Sequence, residues 1–209
     1  MAANPNTSRP NESTFYTARS GGGKSQAIIQ NRAIRGRVVY FDPDHDYRAA
    51  VRCLTMTAFI QALKENHRRA SMSIAYSGDN SPAAFELFCG AVWAILDGNR
   101  PLHIVVDELA DCVQTTGKAS PKAGQLMRRA RKYGGVLHLS TQRPQEVPKT
   151  MFRQCSRFWI GVQEYGDRKA MAAVAGVPEA QLAELAELEF IVKEAGQEAR
   201  RVKLKYKKP

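Results

Sequence analysis

The sequence predicts an α/β fold in which helices flank a mostly parallel central sheet. Short β-prone runs alternate with helical stretches, several of the runs are continuously apolar, and a glycine-rich loop joins the first run to the first helical stretch. Continuous apolar runs are typical of strands buried on both faces, and their alternation with helices indicates right-handed crossovers. Because such sheets bind ligands at the carboxyl ends of their strands, we expect the chemistry to lie there.

Each predicted element rests on local composition and periodicity. The strand candidates are residues 14–18, 37–41, 72–76, 103–107, 136–141 and 158–162. The helix candidates are residues 24–34, 58–69, 82–96, 122–133 and 167–175. Two further β-prone runs, 189–193 and 201–205, flank Gly196 and predict a C-terminal β-hairpin at the edge of the sheet.

The two ends of the chain differ in composition from its body. A chain of 209 residues is long enough for one substantial α/β domain, which we place at residues 14–204. Residues 1–13 are rich in Asn, Ser, Pro and Thr and predict a flexible N-terminal arm. Residues 205–209 form a short basic tail, which we expect to be able to dock on an anionic membrane or an acidic capsid partner.

Composition and charge restrict the class of protein. The hydrophobic content of 44% and charged content of 24% are typical of a soluble globular protein. No apolar run reaches the roughly 18 to 20 residues of a membrane-spanning helix, and the first residues do not resemble a secretory signal, so we expect a cytoplasmic protein. The net charge of +11 favours a polyanionic partner, either nucleic acid or an anionic membrane surface.

A phosphate-binding loop is predicted directly after the first strand. The loop has the sequence Ser20, Gly21, Gly22, Gly23, Lys24, Ser25 and leads into a helical stretch. Glycines allow consecutive backbone N–H groups to turn toward a phosphate, the Lys24 ammonium adds a full charge, and Ser25 can ligate Mg²⁺. Ala18 stands where the usual pattern has glycine. The alternative is a flexible glycine linker followed by Lys and Ser by chance.

Two adjacent carboxylates follow the apolar strand 103–107. We expect Asp107 to hold Mg²⁺ through water. We expect Glu108, one residue further into the loop, to act as the general base that polarises the water attacking the γ-phosphate of a bound nucleotide. The alternative reading is that two acids simply favour the N-terminus of a helix.

A polar amide follows the strand 136–141. Gln142 would reach the γ-phosphate or the lytic water from the strand next to the one that carries Asp107. Its alternative role is that of a turn residue before Pro144. Within this strand, His138 is interpreted as a buried core residue without a chemical role.

At this point the motifs resemble those of the HerA and FtsK superfamily of DNA-pumping P-loop ATPases. The matching segments are SGGGKS at 20–25, FDP at 41–43, VVDE at 105–108 and ARKYGGVLHLSTQRP at 130–144, and the resemblance extends over about residues 14–170. It implies a RecA-like core, ATP and Mg²⁺ as cofactors, a homo-oligomeric ring of six subunits, and ATP-driven movement of double-stranded DNA. The compact length is similar to that of genome-packaging ATPases of icosahedral viruses with an internal membrane.

Ring assembly would allow an adjacent subunit to supply a cation to the γ-phosphate. The candidates for this arginine are Arg128, Arg129, Arg131, Arg143, Arg157 and Arg168, and the sequence does not choose among them. The basic cluster at 128–132 can also be read as a solvated helix face.

Packaging further implies a capsid-vertex or membrane anchor protein as a partner, with work in the host cytoplasm and association with the virion. Two alternatives stay open. One is a related ATPase that drives phage assembly, export or conjugative DNA transfer. The other is a non-enzymatic basic scaffold that binds DNA.

Overall fold

A nine-stranded sheet runs through the centre of the computed structural model, which describes residues 2–113, 117 and 119–207. The strands are β1 (Thr14–Thr17), β2 (Arg37–Phe41), β3 (Val51–Cys53), β4 (Met72–Tyr76), β5 (Leu102–Val106), β6 (Gly135–Thr141), β7 (Arg157–Ile160), β8 (Glu189–Glu194) and β9 (Arg200–Lys203). Their order across the sheet is β3-β4-β2-β5-β6-β1-β7-β8-β9. All neighbouring pairs from β3 to β7 are parallel, whereas β8 and β9 are antiparallel. The predicted mostly parallel sheet with a C-terminal hairpin is therefore confirmed.

Helices cover both faces of this sheet. They are α1 (Lys24–Ile29), α2 (Met56–Asn66), α3 (Pro82–Ala94), α4 (Pro121–Arg129), α5 (Lys149–Phe152), α6 (Tyr165–Ala175) and α7 (Glu179–Ala183), with 3₁₀ turns at Ala130–Tyr133 and Pro144–Glu146. The hydroxyls of Thr55 and Ser81 cap α2 and α3 by accepting hydrogen bonds of 3.2 Å from the third backbone N–H beyond them. Within the described residues, no helix is long and apolar enough to cross a membrane.

Side chains alternate between two apolar layers, which explains the continuous apolar runs. Phe15, Val39 and Ile104 belong to a cluster with residues of α2, α3 and α4. Their strand neighbours, including Tyr16 and Val105, pack with α1 on the opposite face. Full burial of one such side chain contributes on the order of 1.5 to 3 kcal/mol to folding.

Element ends differ from the sequence prediction where a polar side chain intervenes. The first helix ends at Ile29 rather than at residue 34. The amide of Asn31 donates to the Tyr16 hydroxyl at 2.7 Å and accepts from the backbone of Ala33, so it replaces helical bonds with a turn. Strand β3 and the short helices α5 and α7 were not predicted because three to five residues carry little periodic signal.

Residues 2–13, which the sequence predicts to be a flexible arm, lie against the body of the protein. Ala3 exchanges backbone hydrogen bonds with Leu96 and Gly98 at 2.9 and 3.0 Å, and Arg131 donates to the carbonyl of Thr7 at 3.0 Å. Composition does not reveal these bonds, because they come from the backbone and from a distant arginine rather than from apolar side chains.

Candidate active site

The strand order brings the three predicted site segments to one edge of the sheet. Strand β6 lies between β1 and β5, with Thr17 beside Thr141 and Val106 beside Leu139. The glycine loop follows β1, the two carboxylates follow β5, and Gln142 follows β6. All three strands are parallel, so these segments emerge side by side at the carboxyl edge.

The glycine loop is packed too closely for larger residues at two positions. A Cβ on Gly22 would lie 2.8 Å from the Cβ of Ala18, and one on Gly23, whose φ is +98°, would lie 2.7 Å from Cδ2 of Leu188. Ala18 is fully buried, and its methyl group faces Gly22 and Gly161. The alanine at the usual glycine position is therefore accommodated by glycines opposite it.

Lys24 begins α1 and points toward the acidic pair. Its Nζ lies 3.9 Å from Oε2 of Glu108, and both side chains are about one-tenth exposed. Burial lowers the pKa of Lys24, and the nearby carboxylates of Glu108, Asp107 and Asp46 oppose this shift. The ammonium group is thus a poorly solvated cation surrounded by anions.

Glu108 has a left-handed backbone with φ of +40°, an unfavourable conformation for a residue with a side chain. Such a conformation costs on the order of 1 to 3 kcal/mol and occurs often at functional sites. The carboxylate compensates by accepting hydrogen bonds of 2.9 Å from the Thr141 hydroxyl and from the backbone N–H of Gln142. The end of β6 therefore holds Glu108 in place.

Asp107 is deeply buried beside the phosphate loop. Burial raises the pKa of its carboxyl to about 6; a hydrogen bond from Ser140 and the charge of Lys24 act against this, while Asp46 adds to it. The backbone N–H of Glu108 also donates to Asp107 at 3.1 Å. Asp107 is thereby fixed at the base of the site.

An acidic loop after β2 supplies a residue that the sequence interpretation missed. Asp42 is fully buried and accepts from the backbone N–H of Asp46 at 2.8 Å and from Arg52 at 2.8 Å. These contacts turn the chain so that Oδ2 of Asp46 accepts a hydrogen bond of 2.5 Å from the Ser25 hydroxyl. The signal was present, because three alternate acids at 42, 44 and 46 directly follow a strand at the site edge.

A cavity of about 580 Å³ opens over the phosphate loop, within the usual size range of small-ligand sites. Its lining includes the polar residues Lys24, Ser25, Asp44, Asp46 and Gln142. It also includes residues that the sequence did not associate with the site, namely Gln26, Ile29, Glu187, Leu188 and Tyr206. Asp107 and Glu108 do not line the cavity, but Glu108 is paired with Lys24, which does. A separate cavity of about 610 Å³ between α2 and α3 contains none of the predicted site residues.

The polar residues around the phosphate loop fit a magnesium–nucleotide complex. Ser25, Asp46 and Asp107 offer hydroxyl and carboxylate oxygens, which are the ligands that Mg²⁺ prefers. Three glycines and Lys24 offer backbone N–H groups and a positive charge to phosphates. Two of these groups, Ser25 and Asp46, are already in contact.

None of the six candidate arginines lines this cavity. Arg143 and Arg168 follow β6 and β7 at the site edge, where Arg143 pairs with Asp111 at 2.6 Å and Glu146 at 3.0 Å. The other four lie toward the opposite edge, since Arg128, Arg129 and Arg131 precede β6 and Arg157 is the first residue of β7.

Comparisons with known proteins concern the family and the fold of the chain. The chain matches no protein-family model. It is 39% identical over 153 residues to protein P9 of Pseudoalteromonas phage PM2, an alignment that covers 73% of this chain and 69% of the relative.

Solved structures share the fold at low sequence identity. The genome packaging NTPase B204 of Sulfolobus turreted icosahedral virus 2, in complex with AMPPCP, superposes with a TM-score of 0.75 and 15% identity over 95% of this chain and 100% of that chain. VirB4 of Thermoanaerobacter pseudethanolicus gives 0.66 and 13% over 94% and 90%. The chain therefore belongs to the family of protein P9 of phage PM2, and it shares the fold of these two solved structures.

Proposed function

We propose that this protein hydrolyses ATP to move double-stranded DNA, as the motor that packages a viral genome into its capsid. The observation that carries the ATPase part of the proposal is the placement of Glu108. Its carboxylate is held by the end of β6 and paired with Lys24, a residue that lines the cavity over the phosphate loop. A strained, buried, hydrogen-bonded carboxylate in that position suits a general base.

The residues around the phosphate loop have different roles in binding the nucleotide and the metal ion. Backbone N–H groups of residues 20–25 and the Lys24 ammonium bind the β- and γ-phosphates. Ser25 and, through water, Asp107 would hold Mg²⁺, with Asp46 close enough to take part. When bound, Mg²⁺ neutralises charge on the phosphate oxygens.

Glu108 takes a proton from the attacking water, and the Gln142 side chain orients that water or contacts the γ-phosphate. The backbone N–H of Gln142 also donates to Glu108, so the residue that carries the amide is bonded directly to the proposed base. In a ring of six subunits, an arginine of the adjacent subunit adds positive charge beside the γ-phosphate.

The packaging part of the proposal is supported by the relatives. A neighbour in fold is described as a genome packaging NTPase, and the sequence relative is a phage protein. The net charge of +11 suits a DNA polyanion. We further propose that the ring docks on a capsid-vertex or membrane anchor protein and works in the host cytoplasm and on the virion.

The deciding experiment measures ATP hydrolysis with and without double-stranded DNA, using the Glu108→Gln variant as the blank. Stimulation by duplex of any sequence supports a DNA motor. Binding to duplex should also weaken by orders of magnitude between about 50 and 200 mM salt, because neutralised phosphates release counterions. Equal hydrolysis with and without DNA would favour the export ATPase. DNA binding without any hydrolysis would favour the scaffold.

A further inference from the structure

The segment that follows β9 is tied to the helix of the phosphate loop. Gln26 of α1 donates to the carbonyl of Lys207 at 2.7 Å and accepts from its backbone N–H at 2.8 Å. One turn further along α1, Gln30 donates to the carbonyl of Lys205 at 2.8 Å. The sequence predicts a basic tail here that is able to dock on a partner, and in the structure residues 205–207 are held on α1 by two glutamine side chains.

Tyr206 lies between these two anchors and remains 68% exposed. Its ring lines the cavity over the phosphate loop together with Ile29 and Leu188. Leu188 is itself fixed there, because its backbone N–H donates to Gly22 at 3.4 Å and its carbonyl accepts from Leu204 at 2.9 Å. An aromatic ring is thus held at the site by its neighbours and not by its own burial.

The position of this ring relative to the phosphate loop identifies its ligand. Ser25 marks the phosphate end of the cavity, and Ile29 is four residues, or about 6 Å, further along α1. The lining of the cavity includes Ile29 and Tyr206 in addition to the charged residues near Ser25. A nucleoside triphosphate offers partners for both, because it carries charged phosphates and a flat aromatic base.

We propose that Tyr206 forms the nucleoside subsite of this site by stacking on the base, and that Gln26 and Gln30 position it from the phosphate-loop helix. This inference rests on the proposed function, since it places the rest of the same nucleotide. Stacking on an aromatic side chain is tolerant of base identity, because every base has a π-face. The subsite therefore strengthens binding of any purine nucleoside triphosphate without selecting strongly between adenine and guanine.

The test compares ATP with tripolyphosphate, which has phosphates but no nucleoside. Calorimetric titration with Mg²⁺ is performed on the full chain and on Tyr206→Ala, Tyr206→Phe and Gln30→Ala. Tyr206→Ala should weaken ATP by about tenfold or more and leave tripolyphosphate unchanged, a loss typical of removing one stacking ring. Tyr206→Phe should bind ATP normally, and Gln30→Ala should show a smaller loss for ATP alone. Tyr165→Ala is the matched control, because Tyr165 is 79% exposed but outside the cavity.

The outcomes separate this inference from the function on which it rests. Suppose that the unmodified protein binds both ligands and that Tyr206→Ala binds ATP as tightly as the unmodified protein. The proposed nucleoside subsite is then wrong, whereas the assignment of the phosphate loop is retained. An equal loss of ATP and tripolyphosphate in Tyr206→Ala also overturns the subsite, since it indicates general damage to the site. If the unmodified protein binds neither ligand, the subsite and the proposed ATPase fall together.

Discussion

Lys24 and Glu108 form an ion pair within the site, with Nζ 3.9 Å from Oε2. Both side chains are largely shielded from water, so their attraction is less screened than that of a surface pair. A triphosphate bound to the glycine loop would compete for the same ammonium group. Arrival of the phosphates would then weaken the hold of Lys24 on Glu108 and leave the carboxylate free to act on water.

The first prediction concerns Lys24→Ala. This change removes the cation of the phosphate loop and leaves Glu108 without its ion-pair partner, so ATP binding should weaken by about 100-fold, as expected for a lost charged hydrogen bond. Calorimetry with ATP and Mg²⁺ measures the effect. Lys169→Ala, an exposed lysine on α6, serves as the control and should bind normally. Unchanged affinity in Lys24→Ala would remove the assignment of residues 20–25.

The second prediction is that Glu108→Gln binds ATP and does not turn it over. The amide keeps the shape and can still accept from Thr141 and the backbone of Gln142, but it cannot take a proton from water. Single-turnover hydrolysis should fall by about 100-fold or more, while ATP affinity stays within a small factor. Near-normal hydrolysis would show that another group is the base.

The third prediction addresses the buried pair that shapes the acidic loop. Arg52→Met leaves the fully buried Asp42 without its guanidinium partner and should destabilise the protein by about 3 kcal/mol in urea denaturation. It should also weaken Mg²⁺-dependent nucleotide binding, because Asp42 positions Asp46 against Ser25. The double variant Asp42→Asn, Arg52→Met removes the unpaired charge and should recover much of the stability. A double variant no more stable than the single one would contradict this account.

The fourth prediction concerns pH and two buried histidines on the α1 face of the sheet. His138 lies between the Tyr16 hydroxyl at 3.3 Å and His103 at 3.0 Å, and burial lowers the pKa of both histidines. A lowered pKa in the folded state means that the unfolded chain binds the proton more readily. The stability contributed by the neutral histidines is therefore present above the unfolded pKa of about 6.5 and is lost as the pH falls below it.

The free energy of unfolding should accordingly decrease below about pH 6.5, by up to about 1.4 kcal/mol per pH unit for each histidine. Denaturation of the unmodified protein and of His138→Gln at several pH values tests this. The variant should be less stable at pH 8 and show a shallower pH dependence. His45→Asn is the control, since His45 is exposed and Asn tolerates its φ of +63°. An equally steep dependence in His138→Gln would assign the effect to other groups.

Site residues that belong to contiguous sequence motifs could be predicted from the sequence, whereas those positioned by contacts with distant residues could not. The phosphate loop, the acidic pair and Gln142 are each defined by contiguous residues beside an apolar strand, and parallel topology brings them to one edge. The position of Asp46 depends on hydrogen bonds made by Asp42, which is itself paired with Arg52. The position of Tyr206 depends on hydrogen bonds from Gln26 and Gln30, which are about 180 residues away along the chain. Such tertiary contacts leave no periodic pattern. The packing of residues 2–13 against the body of the protein could not be predicted for the same reason, because amino-acid composition does not reveal backbone hydrogen bonds.

The last prediction concerns the arginine that we propose to act between subunits. Arg143 and Arg168 are the candidates at the site edge, and neither lines the cavity of its own subunit. An arginine that acts in trans should be dispensable for ATP binding and necessary for turnover, so its alanine variant should lose hydrolysis by about 1,000-fold. Mixing that variant with Lys24→Ala subunits should restore part of the activity. At a mixed interface, the intact phosphate loop of one subunit meets the intact arginine of the other, whereas each protein alone is inactive.

Arg143→Ala and Arg168→Ala are tested in this way, with Arg129→Ala as a matched basic residue toward the opposite edge. Recovery on mixing supports action in trans. A variant that hydrolyses ATP normally alone, or that is inactive and stays so in the mixture, is not the trans arginine, because it is either unnecessary or needed within its own subunit.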